Sequence, residues 1–511
     1  MVTTSSRPEA AAQMLPSEAR RIIGTLLVAA FVVILNETIM GVALPRLMKD
    51  LSVSARTGQW LTTAFMLTMA VVIPTTGFLL QRLSTRTVFV LALSLFSAGT
   101  LLAAVSPGFW LLLPARIVQA SGTAVMIPLL MTTVLRLVPV ERRGIVMGNI
   151  SIAISVAPAI GPTISGLILQ FLSWRFMFVL VLPIALTALV LGARLLGTVS
   201  KAGQQRLDVL SVLLSVPAFG GIVYGLSQLG QDPAGNSIAV VSLVIGVVCL
   251  LAFGIRQRRL ASGDGSPLLD LRPFGYPMFS LGLALLCVAM LSLFGMIILL
   301  PIYLQTVRGI DSLPTGLMLL PGGLLMGLLG PTVGKLFDRY GPKALTTGGA
   351  LVLTFTMWQF STVDAGTPIW MLVGLHVLMS VALACLFTPC FTTALNPLPP
   401  YLYSHGSAIL ATLQQVAGAA GTALLIAIMV ARTATLTAAG QSETVALNGG
   451  LNTAFMVAAG VSVVAVVLAL FMRNPKPEPQ PEAAGSADDL DVEGDSPDGV
   501  RDPEPERQVH L

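Results

Sequence analysis

Apolar runs of membrane-crossing length alternate along this chain with short polar joints. A helix needs about 20 predominantly apolar residues to cross a bilayer. Fourteen stretches qualify: 22–45, 59–81, 87–106, 110–135, 144–170, 175–196, 207–229, 237–256, 277–303, 313–334, 343–362, 367–391, 406–431 and 452–472. The pattern predicts an all-α polytopic membrane protein. Composition agrees, with 55% hydrophobic and 10% charged residues and a mean hydropathy of +0.85, where soluble domains carry about 25% charge. Residues 1–21 are polar or mixed, and the first run is too long and lacks a small-residue cleavage site. No cleavable signal peptide is expected.

Charge then orients the spans. With the N-terminus inside, inner segments hold 22 Lys and Arg and outer segments hold six, Arg46, Lys49, Arg56, Arg175, Arg308 and Arg432; Arg116 alone lies within a span. This bias predicts that both termini are cytoplasmic in a cell membrane, and that the net charge of +5 reflects loop topology rather than nucleic-acid binding. All five tryptophans then fall near outer helix ends, on one side of an aromatic belt. Eleven of the 24 acidic residues follow Arg473, in a Pro- and Glu-rich tail expected to be disordered and solubilising. Four cysteines, all in apolar spans without CxxC spacing, and three histidines predict neither a disulfide framework nor a metal site.

The sequence also repeats. Gly77-Phe-Leu-Leu-Gln-Arg-Leu-Ser-Thr-Arg86 aligns with Gly334-Lys-Leu-Phe-Asp-Arg-Tyr-Gly-Pro-Lys343 at an offset of 257, and Pro45 aligns with Pro301 at 256. The spacing predicts two six-helix parallel repeats separated by a two-helix insert, related by an axis along the membrane normal. The expected organisation is a cytoplasmic N-terminus over 1–21, a six-helix bundle over 22–196, the insert over 207–256, a second six-helix bundle over 277–472 and the acidic cytoplasmic tail over 473–511.

Within this frame Glu37 stands out as the one carboxylate well inside a span. A charge at such depth costs at least about 2.5 kcal/mol and marks ion coupling or substrate binding, the alternative being a structural hydrogen bond or ion pair. Arg116 is the one buried cation, unless it snorkels outward. Counted along their helices, Glu37 lies roughly 22 Å above the inner end and Arg116 roughly 9 Å below the outer end, so the two share a depth. They can pair if the first and fourth spans are neighbours. In the fifth span Ala153, Ala157, Gly161 and Ser165 recur every four residues, a small-residue face for close packing between the two halves. Pro158 and Pro162 are expected to bend it. Gln119, Gln414 and Gln415 are candidates to line a cavity, with interhelical hydrogen bonding as the alternative.

Several of these segments resemble motifs of the major facilitator superfamily. The joint at 77–86 is similar to its loop G-x-L-x-D-R-x-G-R-R/K, with Gln81 in place of the acid and Ser84 in place of the second glycine. Gly77, Gln81, Arg82 and Arg86, with Gly334, Asp338, Arg339 and Lys343, are thereby implied as cytoplasmic gate loops. Pro158, Gly161, Pro162 and Gly166 resemble the antiporter motif that distinguishes exporters. Arg116 to Ala120 is similar to R-x-x-Q-G. The stretch Leu35-Asn-Glu-Thr-Ile-Met-Gly-Val-Ala-Leu-Pro45 resembles L-D-x-T-I-V-N-V-A-L-P of fourteen-helix drug:proton antiporters, and its Asn36, Glu37, Thr38 and Pro45 match the L-N-E-T variant of lincomycin-resistance-type exporters. The resemblance implies a proton-coupled antiporter that exports drugs or other small amphipathic or cationic compounds by alternating access, with Glu37 and Arg116 coupling the proton. It also implies that the first and fourth spans are neighbours, so Glu37 and Arg116 are expected to pair. The alternative is a dedicated exporter of one endogenous metabolite or antibiotic. Neither an enzyme nor an ATP-driven pump is expected, since GxxxxGK[ST] is absent. The proton gradient takes the place of a cofactor, and the expected partners are small molecules and the lipid bilayer, with no nucleic acid and no required protein.

Overall fold

The computed structural model describes residues 17–196, 208–228, 235–263 and 266–473; the acidic tail and most of the N-terminal segment lie outside the described residues. With no water to satisfy exposed backbone groups, an apolar chain must bond within each segment. The described residues accordingly form helices and no strands. We number the long helices α1 Ser17–Asp50, α2 Ala55–Arg82, α3 Thr85–Ala104, α4 Phe109–Leu137, α5 Arg143–Phe171, α6 Arg175–Leu195, α7 Val209–Gln228, α8 Gly235–Ser262, α9 Pro277–Ile302, α10 Ser312–Tyr340, α11 Pro342–Phe360, α12 Ile369–Leu395, α13 Tyr403–Ala438 and α14 Glu443–Leu470.

Thirteen of these are long and apolar enough to cross a membrane. The exception is α11, which coincides with the stretch expected over 343–362. It has 19 residues, about 28 Å of rise, and is diluted by Lys343, four threonines and Gln359. A π-helical segment, Val216–Gly220, interrupts α7. Prolines sit inside α2, α4, α6, α9, α10 and α12 without ending them, and α5 runs unbroken through Pro158 and Pro162. Ser54 and Ser84 cap α2 and α3 by accepting from the amides of Thr57 and Thr87.

Helix α1 packs on α4, α5 and α6, α2 on α4, and α3 on α4 and α6. Eight helices later the pairings recur: α9 packs on α12, α13 and α14, α10 on α12, and α11 on α12 and α14. Two seams join these groups, α5 on α10 and α2 on α13, while α7 covers the second seam by touching both α2 and α13.

Candidate functional site

Helix α1 presents three consecutive polar side chains, and helical rotation sends them different ways. Asn36 is buried at 2% exposure and accepts a 3.1 Å hydrogen bond from Arg116 Nη1 on α4. Thr38 faces α5 and donates to the Ala157 carbonyl at 3.4 Å, as well as to Ile34 and Leu35 in its own helix. Glu37 lies between them, partly exposed, within range of the Arg116 charge but without an ion pair to it.

The expected Glu37–Arg116 pair is therefore corrected. Arg116 is 1% exposed, so it does not snorkel. Its Nη1 donates to Asn36 Oδ1 and, at 2.5 Å, to Gln119 Oε1, one helical turn along. Gln119 in turn donates to Thr100 on α3 at 2.6 Å. The guanidinium lies over the Phe65 ring of α2, 4.0 Å from its centroid, a geometry that favours a desolvated cation. Neutral amide oxygens and an aromatic face thus hold this charge, and its Nε is buried without a hydrogen-bond partner. Gln119 is fully buried in the network rather than lining a cavity. Asn36 was legible only as a motif position, because its contact depends on helix rotation.

Gln414 and Gln415 on α13 each keep a buried side-chain nitrogen without a partner. Gln414 is buried and Gln415 half-buried. Buried amide donors left unpaired are costly, and such groups are satisfied by water or a ligand when one arrives.

The small-residue stripe of α5 divides between neighbours. A Cβ on Gly161 would sit 2.3 Å from Thr38 Oγ1, so this glycine lets α5 approach α1 within one group. Ser165 donates to Met177 of α6. The contact between groups instead uses Gly144 and Gly148, which meet Gly334 and Gly330 of α10 so closely that an added Cβ would lie 2.2–2.8 Å from the opposing backbone. Gly166 faces open space, and the side chains of Pro45 and Pro162 lie outside the described residues.

Both seams close at the ends of α2, α10, α5 and α13 that carry the repeated loops. At the α5–α10 seam Asp338 Oδ2 accepts from the Ile145 amide at 3.1 Å, across the seam at the start of α5. A carboxylate there complements the helix dipole. At the α2–α13 seam Gln81 donates to the Tyr401 carbonyl at 2.9 Å, and Gly77 lies against His405. Gly341 has φ +78°, which a glycine adopts without strain, whereas Ser84 at the matching place has φ −66° and caps α3 instead. Arg82 lies 5.8 Å from the Phe78 ring centroid and Arg339 5.2 Å from that of Tyr340, while Arg86 and Lys343 are exposed. Arg143 was legible only as topology-setting charge. It is 5% exposed and caps the end of α4 through the Leu135 and Val138 carbonyls. It also reaches Asn396 and Tyr403 on the far side of the seams at 3.2 and 3.1 Å.

Comparison with known proteins fits this geometry. Residues 26–422 match the family model described as the Major Facilitator Superfamily. The lincomycin resistance protein LmrB of Bacillus subtilis is 40% identical over 468 residues, covering 88% of this chain and 95% of that protein. LmrB of Listeria monocytogenes is also 40% identical, over 89% of this chain and 97% of its own. Among solved structures, the human organic anion transporter MFSD10 superposes with a TM-score of 0.62 at 17% identity, covering 89% of this chain and all of that one, a likeness of fold. The chain belongs to the major facilitator superfamily and is a multi-pass membrane transporter rather than an enzyme.

Proposed function

We propose that this transporter is a proton-coupled antiporter exporting small amphipathic or cationic compounds, antibiotics among them, from the cytoplasm. The observation that carries the reading is Glu37: a carboxylate deep in α1, partly exposed, with no ion pair, beside a sealed cation whose own bonds go to neutral amides. A carboxylate so placed can bind and release a proton as access changes, with the Arg116 charge close by when neither proton nor cationic substrate is present. The unpaired amides of Gln414 and Gln415 add donors for polar groups on a substrate. The 40% identity to lincomycin resistance proteins supports efflux and makes lincomycin the first compound to try.

The architecture supports alternating access. Recurrence of the helix pairings eight helices apart favours two six-helix repeats around the α7–α8 insert, with α11 as a fourteenth span. The basic loops favour a cytoplasmic location for the closed seam ends. Close approaches between α5 and α10 reach Gly327, beside Val156 and Ile152, whereas Gly316 and Gly166 toward the other ends face open space. These contacts support a state in which the seam is closed at the loop-bearing ends.

The test is efflux and resistance in a pump-deficient host. The wild type should confer resistance, and Glu37→Gln should confer none at equal membrane abundance. Normal efflux by that variant would sink the reading.

A further inference from the structure

One polar chain lies apart from Glu37 and Arg116. It starts in the insert, where Arg256 of α8 holds Asp208, at the start of α7, through two 2.7 Å bonds. Gln257 of α8 donates to Ser211 of α7 at 2.6 Å and accepts from the Leu269 amide at 3.1 Å. Leu269 belongs to the strap 266–276 that joins α8 to α9. Its next residue, Asp270, is 1% exposed and is gripped by Arg272. Burial works against the Asp270 charge, but the Arg272 hydrogen bonds outweigh it and hold this carboxyl below its ordinary range. The Asp270 amide donates at 3.2 Å to Nδ1 of His405, in the first turns of α13. Arg272 lies 5.3 Å from the ring centroid of Tyr401, whose carbonyl accepts from Gln81 of α2. The insert and strap are thus fastened to both helices of the α2–α13 seam, and the last link is an imidazole that must be unprotonated at Nδ1 to accept.

We propose that His405 is a proton-operated clasp: protonation at Nδ1 turns the acceptor into a donor, breaks the bond to the Asp270 amide and frees the strap, so that the α2–α13 seam can open. His405 is 2% exposed, and Gly77 of α2 leaves it no room, since a Cβ there would sit 2.7 Å from Nδ1. The charges acting on the ring are those of Asp270 and Arg272. The Asp270 carboxylate is taken up by Arg272, whose positive charge also faces the ring, so the carboxylate itself is not the switch. The other packed elements bring Arg82 at the end of α2, Arg136 on α4, the Asp208–Arg256 pair of the insert, and Arg143 beside Tyr403; α9, α12 and α14 carry no Asp, Glu, Lys or Arg at this end. The clasp uses none of the residues assigned to proton coupling at Glu37.

Pulsed electron–electron distance measurement tests it. The full chain, with its four cysteines replaced by alanine, is labelled at the exposed positions Arg86 and Pro400 and reconstituted in lipid nanodiscs. Between about pH 8 and about pH 4 the wild-type distance should lengthen along a one-proton titration curve, with a population change of up to about tenfold, the ratio one such hydrogen bond sustains. His405→Asn, whose side-chain oxygen accepts without titrating, should stay short at both values. Gly77→Ala, which crowds Nδ1, should lengthen the distance already at the higher pH and serves if the Asn variant does not fold. Glu37→Gln should keep the wild-type response. A pH-invariant wild-type distance, a full response in His405→Asn, an unchanged distance in Gly77→Ala, or loss of the response in Glu37→Gln would each overturn the proposal, the last by assigning the response to the coupling site.

Discussion

Two corners of the molecule with the same helix pairings are built from opposite chemistry. In the first group of helices Arg116 of α4 lies over Phe65 of α2 and bonds to Asn36 and Gln119. At an offset of 260, which is also the offset between the starts of α4 and α12, stands His376. It lies against Gly322 of α10, where Phe65 has no counterpart ring. His376 Nδ1 is buried without a partner beside a void of about 10 Å³ lined otherwise by Leu300, Leu304, Met318, Leu319, Leu372 and Val373. One corner is a hydrogen-bonded cationic junction next to a carboxylate; the other is an apolar packing site whose imidazole meets only the Leu319 backbone with one nitrogen and leaves Nδ1 unpaired. The lesson is that a fold with recurring helix pairings can place its charge chemistry on one side and use the other as scaffold. The seams differ in the same sense: Asp338 anchors α5–α10 with a charge, and Gln81 joins α2–α13 with a neutral amide.

The largest effect should come from Arg116→Ala. Removing this cation strands Asn36 and Gln119 and deprives Glu37 of its neighbouring charge. The expectation is a stability loss on the order of 3 kcal/mol from the two buried amide oxygens left without their donor, together with loss of transport, read by thermal unfolding and by efflux in vesicles. If instead transport survives intact, the junction is packing alone and the contrast between the corners collapses.

A smaller change should follow Asp338→Asn. The amide can still accept from the Ile145 amide but no longer brings charge to the start of α5, a loss of about 0.3–1 kcal/mol for an exposed group. The α5–α10 seam should open up to about fivefold more often, measured by labelling a cysteine placed at Ser151, which faces Gly330 across the seam, with the four native cysteines replaced. No change would make Asp338 equivalent to Gln81 and erase the difference between the seams. His376→Leu should do least, costing under about 1.5 kcal/mol because it exchanges a poorly bonded ring for an apolar side chain of similar size. A larger loss of efflux than of stability would reveal chemistry at the second corner.

Much of this was legible in the sequence, and the remainder failed for identifiable reasons. Apolar runs located the helices because a membrane leaves few alternatives to helix. Glu37 and Arg116 announced themselves by cost. Their geometry did not, because adjacent positions on a helix point about 100° apart, and a rotation gives Arg116 to Asn36 rather than to Glu37. The α5 stripe was visible as spacing, but spacing does not name the neighbour: Gly161 meets α1, and the glycines that meet α10 are Gly144 and Gly148. The strap carries no periodic signal, so the bond from Asp270 to His405 could not be read from either residue alone.

The central claim is that proton exchange resides at Glu37. Its most direct test is proton release on substrate binding, followed with a pH indicator in weakly buffered detergent solution. With lincomycin, or whichever compound the resistance panel selects, the wild type should release about one proton per transporter, the limit for one coupling carboxylate. Glu37→Gln should bind and release none. Undiminished release from Glu37→Gln would contradict the account and place the proton on another group.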